Sequence, residues 1–179
     1  MRTQGRPVVV YETRPATEWI LGGAVRKVSP RFSHGVLQFT IAGRLQEWAE
    51  GRGRVASEWR FWVTPPGEDS RYLVPDVAYL SYARVGREDR EAAEEPHVAP
   101  NLAVEILSPS EREDHIAHKV DVYLRAGTSL IVIVDPLTRT LRICDAGGTR
   151  MLAESETFRH PALPAFEMPL AELFGVLDR

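Results

Sequence analysis

"NLAVEILSPSEREDHIAHKVDVYLRAGTSLIVIVDP", residues 101–136, reads as strand, helix, strand. "NLAVEIL" has the apolar, β-branched character of a buried strand, and Pro109 and Ser110 break it. "SEREDHIAHKVDVYLRAG" then places Ile116, Val120, Tyr123 and Leu124 at helical spacing. Ser110 with Glu113 three residues on forms the capping-box pattern, and Gly127 is a natural C-terminal stop. "LIVIVDP" (130–136) is continuously apolar, the pattern of a strand buried on both faces. Strand, helix and strand over this length predict a right-handed crossover with its strands parallel. The class is therefore α/β (α+β): a sheet with helices on its faces.

Outward from this unit the other elements are shorter. Residues 1–17 read as an extended arm, with Val8, Val9 and Val10 as an edge strand. "EWILGGAVRKVSP" (18–30) reads as a hairpin around Gly22 and Gly23. Ser33 is placed to cap a helix over 34–50, with Val36, Leu37, Ile41, Leu45 and Trp48 at its spacing. "RVASEWRFWV" (54–63) and "YLVPDVAYL" (72–80) each read as one strand. Pro75 marks the second as an edge, a bulge or an irregular start. Residues 84–99 read as an exposed, charged loop with at most one helical turn. "TLRICD" follows the turn "PLTR" as a further strand. Residues 160–179 read as a C-terminal tail with a short helix. The whole, 1–179, is expected to be one domain.

Composition narrows the function. The net charge of −3 provides no general attraction to nucleic acid or anionic membrane, so any such contact needs a local patch. Two arginine groups offer one: Arg84, Arg87 and Arg90, or Arg44, Arg52, Arg54 and Arg60; solvated faces are the commoner meaning of such groups. The lone Cys144 excludes an internal disulfide and a multi-cysteine zinc site, and alternates with Leu141 and Ile143 as a small strand side chain. No segment approaches the roughly 20 apolar residues of a membrane span. No secretory leader pattern opens the chain, so a cytoplasmic location is expected. There is no P-loop, no G-x-G-x-x-G and no G-x-S-x-G. The histidines show no metal-ligand spacing with cysteine; His115 with Lys119, and Asp114 with His118, read as surface pairs.

Two acids interrupt apolar runs: Asp76 in "YLVPDVAYL" and Glu105 in "NLAVEIL". On neighbouring strands their carboxylates would face each other, at a repulsive cost of roughly 1–4 kcal/mol at ~4 Å. A divalent cation relieves that cost, because Mg²⁺ prefers carboxylate oxygens and keeps waters. Such an ion polarises a phosphate and activates water, as phosphodiester hydrolysis requires. Lys119 lies one helical turn before Tyr123, at the edge of the inward stripe, where a cation can stabilise developing negative charge or orient the water. Each residue also has a plainer reading. Asp76 can bond a turn backbone, Glu105 can pair with an arginine, and Lys119 can lie along an apolar face.

"VPDVAYL", "PNLAVEILSPS" and "HKVDVYLRAGTSLIVIVDPLTRTLRI" together resemble the Uma-two family of bacterial endonucleases, within the restriction-endonuclease-like superfamily named for its PD…(D/E)-x-K motif. The resemblance runs from about Glu18 to about Ile143. It implies a mixed β-sheet core flanked by helices and a metal-dependent nuclease site using Mg²⁺ or Mn²⁺. By position, Asp76 is the "PD" acid, Glu105 the second acid, and Glu18 a further carboxylate. Lys119 matches the family's helix lysine, standing in for the lysine two after the Glu, where this chain has Leu107. Leu21 stands where the family often has Asp, and Val132 where it often has Trp; both read as structural. His34 matches a recurring histidine, with site-facing and packing roles both open. The spacing from Asp114 to Lys119 is one residue longer than usual, which leaves the role of Asp114 open. The expected function is DNA hydrolysis by a homodimer, with the edge at 8–10 a candidate pairing segment. The alternative is an inactive nuclease-like binding or regulatory module.

Overall fold

The structure, a computed structural model, describes residues 17–26, 31–109 and 111–179. Its elements in chain order are β1 (Thr17–Ile20), β2 (Gly23–Arg26), α1 (Phe32–Trp48), β3 (Gly53–Ser57), β4 (Phe61–Val63), β5 (Arg71–Leu73), β6 (Val77–Ser81), α2 (Arg90–Glu94), β7 (Leu102–Ile106), α3 (Glu113–Arg125), β8 (Leu130–Asp135), β9 (Thr140–Asp145), β10 (Gly148–Ala153), β11 (Thr157–Phe158), β12 (Met168–Pro169) and α4 (Leu170–Phe174). A 3₁₀ turn, Gly175–Asp178, follows α4.

A six-stranded mixed sheet runs β10-β9-β8-β7-β6-β3. The sole parallel pair among the described ladders is β7 with β8, joined by α3, as residues 101–136 predict. Alternation divides the sheet side chains between two layers. On one side Val77, Val104, Val132 and Ile143 pack with Leu37, Ile41 and Leu45 of α1. On the other, Ala78, Ala103, Ile131 and Ile133 pack with Ile116, Val122 and Tyr123 of α3 and with Phe61 and Leu73 of β4 and β5. The inward stripe of α3 is Ile116, Lys119, Val122 and Tyr123, while Val120 and Leu124 are only partly buried.

Several expectations are corrected. The strand over 54–63 divides at Glu58, whose φ of 51° turns the chain out of the ladder. Its first half, β3, pairs with β6; its second, β4, pairs with β5. "YLVPDVAYL" divides likewise around Val74–Asp76, and β6 lies inside the sheet between β3 and β7 rather than at an edge. At Pro75 the strand has an irregular start: the β6–β7 ladder begins at Val77, partnered with Val104, and the Asp76 N–H donates to Val104 O at 2.9 Å just outside it. Ser33 lies inside α1, and the N-cap position is Arg31. At α3 the N-cap is Arg112, while Ser110 lies outside the described residues. Of the N-terminal arm, Thr17 opens β1 and the rest, with Val8–Val10, lies outside them too.

The segment 160–179 is more than a tail. Leu163, Phe166, Met168, Leu170, Leu173 and Phe174 are all buried in the α1 layer. Trp48 Nε1 donates to Pro164 O at 2.9 Å, and Arg44 reaches Glu172 at 2.6 Å. The loop 84–99 contains one short helix, as expected, but is pinned rather than free. Arg54 donates to the carbonyls of Val85, Gly86 and Arg87, and Arg84 to those of Ala99, Pro100 and Gly127. These two arginines therefore tie backbone rather than wait for a phosphate. Cys144 is free and buried on β9. No helix among the described residues is long and apolar enough to cross a membrane.

Candidate active site

Asp76 lies just outside the β6–β7 ladder, which ends at the Val77–Val104 pair. Pro75 has no N–H to give there. The Asp76 side chain serves a different group, the next donor of β7: Oδ2 receives the Ile106 N–H at 2.6 Å. The same oxygen lies 3.2 Å from His34 Nε2, in the first turn of α1. Gln38, one turn on, donates to Asp76 O at 2.8 Å and to Glu58 Oε1 at 2.9 Å. Asp76 is thus held by β7 and by α1, with only 2 % of its surface exposed.

Glu105 points from the middle of β7 into the α3 layer. Lys119 Nζ meets its Oε2 at 2.5 Å, and Tyr123 OH donates to Oε1 at 3.3 Å. Lys119 and Tyr123 are four apart on one face of α3, so the helix presents an ammonium and a phenol side by side. Glu18, on β1, closes the cluster: its carboxylate receives Lys119 Nζ at 3.1 Å and the Val74 N–H at 2.9 Å. Glu18, Glu105 and Lys119 are all buried. Burial disfavours the Lys119 ammonium, but Glu105, Glu18 and Asp76 outweigh it and hold the pKa above its ordinary value. Burial among the same acids pushes the Tyr123 phenol well up.

Glu18, Asp76 and Glu105 line one cleft of about 250 Å³, with Ile106–Pro109 on one wall and Arg26, Arg31 and His34 on another. Lys119 is not in that lining; it lies behind Glu105 and Glu18. Its predicted surface pairing with His115 is therefore replaced by the inward one. Asp114 is bound to Arg112 at 2.6 Å on the exposed start of α3, which lowers its pKa from 3.8 to about 2. Leu107, at the position of the usual E-x-K lysine, lines the cleft as an apolar side chain.

Two residues escape the sequence reading as site members. Tyr123 was signalled by its i,i+4 relation to Lys119. Glu111 lines the cleft from the loop before α3, and partial burial raises its carboxyl above the ordinary value, with Lys119 pulling the other way. It had no signal, since it stands among other charges.

A divalent ion is compatible with this donor set. Asp76 and Glu105 offer hard oxygens to an open cleft, and Mg²⁺ commonly takes only one or two carboxylates, completing its shell with water and phosphate. No group of three or more acid, histidine or cysteine side chains is disposed around an ion among the described residues.

No curated protein matches the chain. Among solved structures, a crystal structure of a "putative nuclease belonging to DUF820" from Anabaena variabilis ATCC 29413 superposes with a TM-score of 0.83. The match covers 94 % of each chain at 24 % identity, and the shared fold is a nuclease-like mixed sheet with flanking helices. Residues 9–174 match the family described as "Uma2: Putative restriction endonuclease", and the chain belongs to that family.

Proposed function

We propose that the protein is a divalent-metal-dependent endonuclease that hydrolyses DNA phosphodiester bonds. The observation that carries this reading is the convergence of Asp76 and Glu105 on one cleft, with Lys119 buried 2.5 Å behind Glu105. Asp76 and Glu105 would hold Mg²⁺ or Mn²⁺. When bound, the ion polarises the scissile phosphate and lowers the pKa of an attacking water.

The chain's own groups prepare that site. Ile106 N–H and His34 fix the direction of Asp76. Tyr123 and Lys119 fix Glu105, and Val74 N–H fixes Glu18. Lys119 acts from below the cleft floor as a positioning residue, and its positive charge offsets that of the acids and of an incoming phosphate. Glu18 supports Lys119 rather than reaching the substrate directly. In this reading the chain is one restriction-endonuclease-like domain, placed with DNA in the cytoplasm, and two copies cut the two strands of a duplex.

The test is nicking of supercoiled plasmid with and without Mg²⁺ or Mn²⁺. Wild type should nick only with the ion, and Asp76→Asn and Glu105→Gln should each lose at least a hundredfold. Equal inertness of wild type and both variants on double- and single-stranded DNA would sink the proposal. A second reading, a non-catalytic binding module on the same fold, is favoured by one feature: Leu107 replaces the usual lysine, and the substitute is already engaged by Glu105. Isothermal titration with Mn²⁺ separates the two, since a dead site shows no heat that depends on Asp76.

A further inference from the structure

Helix α1 buries one face through Leu37, Ile41 and Leu45 and leaves the opposite one open. The open face carries Phe32 at 70 % exposure and, two turns on, Phe39 at 81 %. At 3.6 residues per turn, Phe32, Gly35, Phe39, Gly43 and Gln46 all fall within about 40° of the Phe39 direction. Nothing lies within 4 Å of where a Cβ would stand on Gly35 or Gly43, so the Phe39 ring rises between two hollows. Two large aromatics in water on one stripe mark a contact surface rather than scattered surface apolarity.

We infer that this face of α1 joins two copies of the chain, packed antiparallel about Phe39. A two-fold contact must be self-complementary. The stripe has that property: counted outward from Phe39, Gly35 on one side answers Gly43 on the other, and each ring can drop beside the glycine of its mate. The charges follow the same symmetry. Arg31 stands at the start of α1, and Glu47 and the exposed Glu50 stand at its end. Antiparallel packing brings the basic start of each helix level with the acidic end of the other. The helix dipole agrees, because α1 has no acid in its first turn, no base in its last and no side-chain cap at its start. A DNA backbone finds no cation along the stripe itself and meets acids at its end, so a second copy fits better than nucleic acid.

The contact also bears on the cleft, since α1 carries His34 and Gln38, both in contact with Asp76. The inference rests on the two-copy part of the functional reading and not on hydrolysis. It is tested by size-exclusion chromatography with light scattering on wild type and Phe39→Arg, with circular dichroism as a check on folding. Wild type should run at the mass of two copies and Phe39→Arg at that of one. In parallel, Phe39→Cys should form an intermolecular disulfide under mild oxidation at least tenfold faster than Leu137→Cys, a control site of 75 % exposure. The buried Cys144 does not interfere. A wild type of single-copy mass, including one in which residues 1–16 cover Phe39, overturns the inference. So does a two-copy mass that survives Phe39→Arg with cross-linking no faster than the control. Loss of nicking with the two-copy mass intact counts against the nuclease reading alone.

Discussion

Asp76 Oδ2 accepts the backbone N–H of Ile106 at 2.6 Å, so the first acid is fastened to the strand that carries the second. This bond separates the structural role of Asp76 from the ion-binding role proposed for it. Asparagine keeps a carbonyl acceptor for Ile106, whereas alanine leaves that buried N–H without one, at about 1–3 kcal/mol. Asp76→Asn should therefore unfold close to wild type and Asp76→Ala well below it. Mn²⁺ at about 100 times its Kd should stabilise wild type by about 2.7 kcal/mol and Asp76→Asn by almost nothing, read as melting-temperature shifts.

Lys119 is the buried cation that serves Glu18 and Glu105 together. Removing one partner of such a cluster leaves uncompensated buried charge, at about 3–5 kcal/mol. Lys119→Met should lose stability on that scale in urea denaturation. Glu105→Gln in the same chain should restore part of it, so that the double variant is less damaged than the sum of the singles. Additive losses would show that the two groups are not coupled.

The β1–β2 hairpin closes through Leu21 and Gly22, with Ile20 paired to Gly23. Both turn residues have positive φ, 49° and 75°, as a tight hairpin of this kind demands. Leucine is poorly suited to the left-handed region, and its side chain is 56 % exposed, so packing returns little. Leu21→Asn should raise stability by about 0.5–1 kcal/mol in chemical denaturation, without changing Mn²⁺ binding.

Glu111 gives a pH dependence. Its carboxyl is held above its ordinary 4.5 by partial burial, although the residue as a whole is exposed. A raised acid binds its proton more tightly in the fold than in the unfolded chain. Its contribution is thus present below 4.5 and lost as pH rises through the folded value. Glu111→Gln should match wild type in acid and exceed it at neutral pH. A carbon-detected NMR titration of the Glu111 carboxyl should place its midpoint above 4.5.

The parallel core and the central acids were legible for one reason: charge inside an apolar run is conspicuous. Asp76, Glu105 and the inward Lys119 each break a pattern that packing would otherwise keep uniform. The details that local pattern missed depend on distant partners. Glu58 and the Val74–Asp76 stretch divide two apparent strands because each half pairs with a different neighbour. Ser33 and Ser110 looked like caps by type, yet Arg31 and Arg112 occupy the N-cap positions. The C-terminal segment is rich in proline and reads as loose, while its apolar side chains complete the α1 layer. Glu18 was reached by resemblance; its bond to Lys119 spans the chain and has no local signature.

That bond joins residues 101 positions apart. A polypeptide still leaving the ribosome has Glu18 and β1 long before the helix that carries Lys119. Until then neither Glu18 nor Glu105 has its counter-charge, and the pocket has no floor. Any product terminated before α3 lacks that floor altogether, so the proposed hydrolysis would come only from chains that have been read through that helix.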